Sequence, residues 1–576
     1  MASTQTKQSR GTHNGVATEA RIQEDERAAE EAAYEVAETT DESMPVGMAV
    51  EPAAQAESLA PQSRTEAPGL RTELGQGEDT QSSVLSPQSS EEELTAEDRK
   101  DVSRTVFRLA WPAISENALQ TLLGIVDTAV VARLGAAALA GVGASQQLIW
   151  VLTTALIAVS MGTTVLIARF TGASQTERSN AVLKQSLMLA ALVGFALIPV
   201  SFLSHTLLSM LGLSPEATAE GATYLQITLA MAMVIVLMFV AGAALRGAGD
   251  TKTPMLVTAF INVINAVLAI VLVFGGVQAS GIFSDWLSSL THLQITLPTL
   301  DWVPAMGVAG SAWAAVIARA IGTVILFSIF LLPRSRLQLW RGGGWRPSFD
   351  LIGRILKIGI PSAVEQLLMS LGVLFYSFIV ISMGELIFAT SRLAINAVFL
   401  SQMPGFGFAL AATTVVGQSL GAGQPQRARL GAWLATRSAL IWMSVMGVIF
   451  FFFGRTILTV FTDDPRLLDL GDQAMKVIAF SQPPLALAFV LAGALRGAGD
   501  VRFPMLVTTI AVWLVRIPIG AFLGMNSVCL PFGSTCVPGL GWGLAGIYGA
   551  LIVEASLRAV LFFRRFREGR WQKMKV

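Results

Sequence analysis

The sequence is short of the residues most enzymes use for chemistry. Its 576 residues include 3 histidines and 2 cysteines, too few ligands for a protein-borne zinc or iron site. No metal and no cofactor are expected. Gly-Lys never occurs, which removes the GxxxxGK[ST] loop that cradles nucleotide phosphates and with it an ATP-driven pump. The opening MASTQTKQSR has no apolar run of the signal-peptide kind, so the first membrane helix is expected to direct insertion itself. Charge is scarce too, at 14% of residues, where a soluble chain carries about 25%. With 53% hydrophobic residues and a mean hydropathy of +0.59, the chain belongs in a bilayer.

The net charge of zero hides an asymmetry. Acids outnumber bases by 21 to 8 over residues 1–100, and bases outnumber acids by 32 to 19 over residues 101–576. The first 100 residues, rich in Glu, Ala, Ser, Gln and Thr, read as a disordered acidic tail of unassigned partner. The apolar body follows as a first lobe over 101–333, a basic linker over 334–350 and a second lobe over 351–576.

Twelve apolar stretches occupy approximately 105–132, 144–169, 181–204, 222–245, 254–275, 305–332, 354–382, 393–417, 430–453, 473–495, 504–525 and 541–563. Each reaches the roughly 20 residues that cross a hydrocarbon core. Bases concentrate after even-numbered stretches, as in Arg169, Arg178 and Lys184, in Arg334, Arg336, Arg341 and Arg346, and in the final RRFREGRWQKMK. The positive-inside rule therefore places both termini in the cytoplasm of a multi-pass cell-membrane protein. Cys529 and Cys536 fall in the last outward-facing loop, where a disulfide is sterically and chemically allowed and two unpaired thiols are the alternative.

The strongest signal is self-similarity. LRGAGDTKTPMLVT (245–258) returns as LRGAGDVRFPMLVT (495–508), identical at 11 of 14 positions. Pro112 pairs with Pro361, Glu116 with Glu365, Gly135 with Gly384, and GASQTER (172–178) with GAGQPQR (421–427) at nearly the same offset. The body thus consists of two six-helix repeats. Six is even, so the repeats share one topology about an axis along the membrane normal, an arrangement that suits alternating access around a midplane site. The GAxQ and LRGAGD segments themselves read as tight turns and helix caps.

Ionisable groups inside apolar spans cost about 2.5 to 3.5 kcal/mol on insertion scales, so each needs a reason. Glu116 and Asp127 lie eleven residues apart in the first span, about 20° beyond three full turns, hence on one face and about 16 Å apart along the axis. Gln120 shares that stripe. In the second repeat the stripe carries Glu365 and Tyr376, with Met369 in place of the glutamine. Asp127 therefore has no carboxylate as its mate, and it is the candidate site of proton or cation uptake. Apolar surroundings favour a neutral carboxyl, which allows such a group to load and unload a proton. Glu116 and Glu365 follow a proline by one turn and can equally satisfy backbone groups freed there. Asn265 serves either helix packing or coupling. Arg516, within VWLVRIP, has Glu554 as a candidate partner.

These residues resemble the multidrug and toxic compound extrusion (MATE) family of cation-coupled antiporters, in its bacterial and archaeal form. The likeness covers 101–576 and rests on Pro112, Glu116, Gln120 and Asp127 of the first span, the paired LRGAGD segments, VGQSLGAGQPQRA (416–428) and WLVRIP (513–518). It implies an all-α integral membrane protein of twelve helices in a V-shaped pair of lobes, with Asp127 in cation coupling and a helix bend at Pro112. The expected coupling set is Asp127, Glu116, Gln120 and Asn265, and the expected substrate cavity includes Glu365, Tyr376 and Arg516. Where family members carry further aspartates this chain has Ala269 and Leu485, which weakens a sodium cage and favours proton coupling.

The reading that follows is a monomeric secondary antiporter, not an enzyme, exporting cationic or amphipathic small molecules in exchange for protons. The first alternative is a lipid-linked oligosaccharide flippase of the same superfamily, for which a basic cavity is expected in place of the acidic stripe. A membrane sensor or enzyme using the acidic tail is the second. It would need a reactive cluster, and no His/Cys/Asp or Ser/His grouping lies within the spans.

Overall fold

A computed structural model describes residues 95–291, 303–529 and 536–574. The acidic tail, through residue 94, lies outside the described residues. The first repeat comprises α1 (Ala96–Ala132), α2 (Ala136–Gly172), α3 (Thr176–Ser201), the short α4 (Ser204–Ser209), α5 (Pro215–Ala230), α6 (Ala232–Gly247), α7 (Lys252–Phe274), α8 (Gly276–Thr291) and α9 (Gly307–Leu331). The second comprises α10 (Phe349–Ser382), α11 (Glu385–Gly421), α12 (Pro425–Leu458), α13 (Pro465–Gly497), α14 (Arg502–Ile510), a π-turn at Ala511–Arg516, α15 (Ile517–Gly524) and α16 (Gly543–Arg567).

Every expected span coincides with a helix or a broken helix. The fourth is α5 with α6, bent by 57°, and the eleventh is α14 and α15 joined through the π-turn. Among the described residues nine helices are long and apolar enough to cross a bilayer, or eleven when each of two bent pairs counts as one span. The remaining span is α1, whose Glu116, Asn117, Gln120 and Asp127 lower its apolarity. Outward-facing side chains such as Phe195, Val263, Val324 and Val560 are apolar and more than half exposed, the pattern of helices that face lipid.

Local chemistry sets the helix ends. Thr95 and Asp98 form a capping box that opens α1, satisfying two backbone donors reciprocally. Ser214 before Pro215 and Asp464 before Pro465 cap α5 and α13. The LRGAGD segments are turns, as the sequence implied: Asp250 N bonds Leu245 O and Asp500 N bonds Leu495 O, both at 2.9 Å. Gly249 and Gly499 take φ of +83° and +92° there, which only glycine adopts without strain.

One element departs from an all-helical chain. β1 (Ser527–Cys529) and β2 (Cys536–Pro538) form a two-stranded antiparallel ribbon with Cys529 directly opposite Cys536. The choice between a disulfide and two unpaired thiols lies outside the described residues, as do both cysteine side chains.

Each repeat has its own core, yet the first helix of each begins in the other's. Val102, Val106, Leu109 and Ala110 of α1 are buried with Phe408 and Val415 of α11 and Met443 of α12. Ile355 and Ile358 of α10 are buried with Val159, Leu166 and Leu187 of α2 and α3. Ile114 still meets Gly407 of α11; from Glu116 and Glu365 onward both helices find polar partners in their own repeat.

The repeats touch through glycines at one end. A Cβ on Gly172 would collide with Gln418 O, and one on Gly421 with Arg169 O; Gly162 and Gly359 approach the backbones of Ile355 and Ala158 as closely. Toward the opposite ends of α1, α2 and α10, Gly124, Gly135, Gly143 and Gly384 have nothing within 4 Å of an added Cβ. The linker binds α3 through Lys184 Nζ to Gly343 O at 2.5 Å and Gln185 Nε2 to Arg346 O at 2.9 Å.

Candidate functional site

α1 and α10 carry the polar stripes, and beyond their prolines each stripe meets two sets of partners. One turn after Pro112, Glu116 accepts Arg246 Nη1 at 2.7 Å. The second repeat does the same, with Arg496 Nη2 at 2.7 Å from Glu365 Oε1 and Thr508 Oγ1 donating to that oxygen at 2.9 Å. All four charged side chains are largely buried. Glu116, Gln120, Phe239, Arg246 and Thr258 line a cleft of about 320 Å³, part of it open to the outside. The two glutamates were expected in different roles, coupling and cavity; their surroundings are equivalent.

Farther along α1 the symmetry fails. Asp127, 4% exposed, accepts Asn265 Nδ2 at 2.7 Å. It has no ion-pair partner among the described residues, in contrast to both glutamates. Asn265 Oδ1 is buried with no partner of its own. Asn262, one turn earlier on α7, donates to Leu119 O at 2.6 Å and ties the same two helices together. α1 is an unbroken helix through Pro112.

At the position equivalent to Asp127, Tyr376 donates to Ile547 O, and the Arg516 guanidinium lies 4.4 Å from its ring centroid. Arg516 does not pair with Glu554 as proposed from sequence. Glu554 meets Arg558 on its own helix at 2.5 Å, although that contact is not aligned as a hydrogen bond. The i,i+4 spacing explains the preference, since both side chains occupy one face of α16.

Why Arg516 meets Tyr376 follows from the π-turn. Up to Thr258 and Thr508 the repeats run at an offset of 250. Beyond the turn, Met306 N bonds Leu272 O at 2.8 Å while its counterpart Trp542 N bonds Leu523 O at 2.9 Å. Gly310 and Gly546 press on those same two carbonyls. The offset has become 251, so one residue is inserted and Arg516 occupies the place of Asn265. Insertions of this kind are how π-turns arise, and they recur at functional sites.

Sequence reasoning missed Arg246 and Arg496, which it assigned to turn structure. Their signal was the repeat itself, because two glutamates and two arginines recur at matched offsets. The remaining expected residues are brought together in three groups: Glu116 with Gln120, Asp127 with Asn265, and Tyr376 with Arg516. Glu365 stands with Arg496.

Parallel repeats enclosing buried ionisable groups are the construction of secondary transporters, and the fold defines a multi-pass membrane transporter. The chain belongs to the MatE family: the family model described as MatE matches residues 112–271 and again 361–522, once in each repeat. The "probable multidrug resistance protein NorM" of Thermotoga maritima is 33% identical over 488 residues, covering 84% of this chain and 96% of that protein. The "uncharacterized transporter YisQ" of Bacillus subtilis is 25% identical, covering 82% and 95%. Among solved structures, a MOP superfamily transporter from Pyrococcus furiosus superposes with a TM-score of 0.70 at 21% identity, covering 84% of this chain and all of that one. An outward-facing MATE family transporter gives 0.69 at 20%, covering 82% and 96%. The matched fold is that of twelve helices in two repeats.

Proposed function

We propose that the protein is a secondary active antiporter exporting cationic or amphipathic small molecules in exchange for protons. The observation that carries this reading is the contrast among the three buried carboxylates on α1 and α10. Glu116 and Glu365 are neutralised by arginines, whereas Asp127 has a neutral amide. The charge that acts on Asp127 is Arg319 of α9, which forms no ion pair with it and donates Nη1 to Ala315 O at 3.1 Å, so a change of protonation at Asp127 leaves that guanidinium a backbone partner.

Asn265 suits both states. Its amide donates to the charged carboxylate, and its unpartnered Oδ1 is an acceptor for the proton once Asp127 is neutral. Ala269 packs against Val130, Val273 and Ala314, and Leu485 lies within another apolar cluster. Neither position offers the oxygen ligands that a hard cation such as sodium requires.

The positive-inside rule makes the glycine-closed end and both termini cytoplasmic. Export of multidrug type is supported by the names of the relatives, among them NorM of Thermotoga maritima. Pro112 is where α1 leaves one repeat's core for the other's, and its missing hydrogen bond makes it the natural pivot.

The test uses proteoliposomes with an imposed proton gradient and no sodium, following ethidium transport. Wild type should transport and Asp127→Asn should not. Transport driven by sodium and indifferent to the proton gradient would overturn the coupling assignment.

A further inference from the structure

Where α2 and α11 press on each other along the glycine seam, two equivalent side chains do different things. GASQTER and GAGQPQR run at an offset of 249, which makes Gln418 of α11 the counterpart of Arg169 of α2. Gln418 crosses the seam directly: its Nε2 donates to Gly247 O at 3.0 Å, in the LRGAGD turn of the first repeat. One turn earlier, Thr414 Oγ1 donates to Arg246 O of the same segment at 3.2 Å. Among the described residues the other half of the seam has neither contact with the second LRGAGD turn. The counterpart of Thr414 is Val165, and Arg169 Nη2 donates to Met574 O at 2.5 Å, beyond α16.

Met574 follows a segment that is firmly seated in the second repeat. After α16, Gly569 at φ of +70° turns the chain into a single 3₁₀ turn, Arg570–Lys573. Trp571 in that turn is fully buried, stacks on Phe566 with centroids 5.0 Å apart and donates Nε1 to Phe566 O at 2.8 Å. It belongs to the core that also holds Val102 and Val106 of α1 and Leu420 of α11. Ring burial with the one polar atom satisfied fixes the indole, and Met574 O is held three residues farther on. The linker after α9 is built alike but stays at home: Leu337 is buried in the first repeat's core, and Arg336 Nη1 donates to Ala248 O of that repeat at 3.0 Å.

Arg169 is the mobile side of the contact. No acid is paired with it among the described residues, and its Nη1 is buried without a hydrogen-bond partner. A hydrogen bond from a cation is roughly twice as strong as a neutral one. The backbone of the same residue receives the Gly421 approach, so the bond to Met574 exists only while the repeats are in contact there.

We propose that the segment Glu568–Met574 is a latch that holds the cytoplasmic seam shut, with Arg169 as its catch. The proposal rests on the transport reading only in taking the seam to open during a cycle; it depends on neither the coupling ion nor the substrate class.

Thr414 is fully buried at the seam, so a cysteine there reports opening. Thr414→Cys is made in the full chain together with Cys529→Ser and Cys536→Ser, and its rate of reaction with a water-soluble maleimide is measured without substrate or gradient. Size-exclusion profile and thermal unfolding establish that each variant is folded. Arg169→Ala should raise the rate at least fivefold, whereas Arg169→Lys, which keeps a cationic donor, should raise it less than twofold. Deleting Arg570–Val576 should match Arg169→Ala, and the combined variant should exceed neither, because both changes remove one contact. A second measurement leaves Trp571 in place. Arg169→Cys and Met574→Cys, joined by a reducible bis-methanethiosulfonate cross-linker with Thr414 intact, should stop ethidium flux in proteoliposomes, and dithiothreitol should restore it. An unchanged labelling rate in Arg169→Ala, additive effects of the two changes, or flux that continues through the cross-link would overturn the latch. Absence of ethidium flux in wild type, with the labelling differences intact, would overturn the transport reading and keep the latch.

Discussion

Arg246 closes on Glu116 at 2.7 Å, joining the last turn of α6 to the turn of α1 that follows Pro112. Arg496 and Glu365 repeat the contact across α13 and α10. Each pair anchors a first helix to its own repeat immediately after the proline at which it leaves the other.

Removing one partner should therefore be costly. The side chains of Arg246 and Glu116 are 14% and 8% exposed, and an uncompensated buried charge destabilises by about 3 to 5 kcal/mol. Arg246→Ala is expected to lower the thermal unfolding temperature in detergent sharply, and Glu116→Gln combined with Arg246→Gln to recover more than half of the loss. If the double variant is as unstable as the single one, the pair does not act as a unit.

Asp127 should behave differently, because its partner is a neutral amide. Asp127→Asn keeps shape and replaces one hydrogen bond, so stability should change by no more than about 1.5 kcal/mol, while proton-driven transport is lost. Asn265→Leu should also impair coupling, since it removes both the donor and the acceptor offered to Asp127. Unfolding curves and proton-gradient flux measured on the same preparations check both statements; full coupling in Asn265→Leu would count against the amide's role.

The glycine seam gives a conformational prediction. A side chain at Gly172 or Gly421 meets a backbone carbonyl of the opposite repeat, Gln418 O or Arg169 O, and a backbone cannot swing aside as a flexible side chain would. Gly421→Val is expected to hold the repeats apart at that end, raising the reactivity of a cysteine introduced at Gln418 toward a water-soluble maleimide. Gly353→Ala, where an added Cβ has nothing within 4 Å, is the matched control and should leave the label rate unchanged.

Much of this was legible in the sequence, for identifiable reasons. The twelve spans follow from the lengths of apolar runs, and the repeat follows from LRGAGD. Asp127 stood out because its mate is Tyr376. The arginine partners were obscured because Arg246 and Arg496 sit at helix ends among turn residues, and their long side chains extend from there to the glutamates. The pairing of Tyr376 with Arg516 was hidden for another reason. At the offset of 250 the counterpart of Asn265 is Val515, and only packing beyond the π-turn, at Leu272 and Leu523, reveals the shift to 251. Periodicity within a helix cannot register an insertion that the helix absorbs as one wide turn.

That absorption leads to the last prediction. Deleting a residue from a packed helix rotates everything on one side of the deletion by about 100°, which ordinarily ruins it. The eleventh span already contains the extra residue, so removing one from the π-turn should leave a regular α-helix with both flanks in place. Leu514, 70% exposed, can be lost without emptying any buried site. Its deletion is expected to cost little, on the order of the 0.5 kcal/mol typical of surface changes, and to keep Arg516 on Tyr376. The same operation at Val267 of α7, 43% exposed and in a helix with no insertion to spare, should displace either Asn265 from Asp127 or the packing of Leu272 against Gly310, and abolish a cooperative unfolding transition. The comparison is direct: thermal unfolding of the two deletions side by side. Equal damage from both would mean that the π-turn is required for the fold and is not a spare residue.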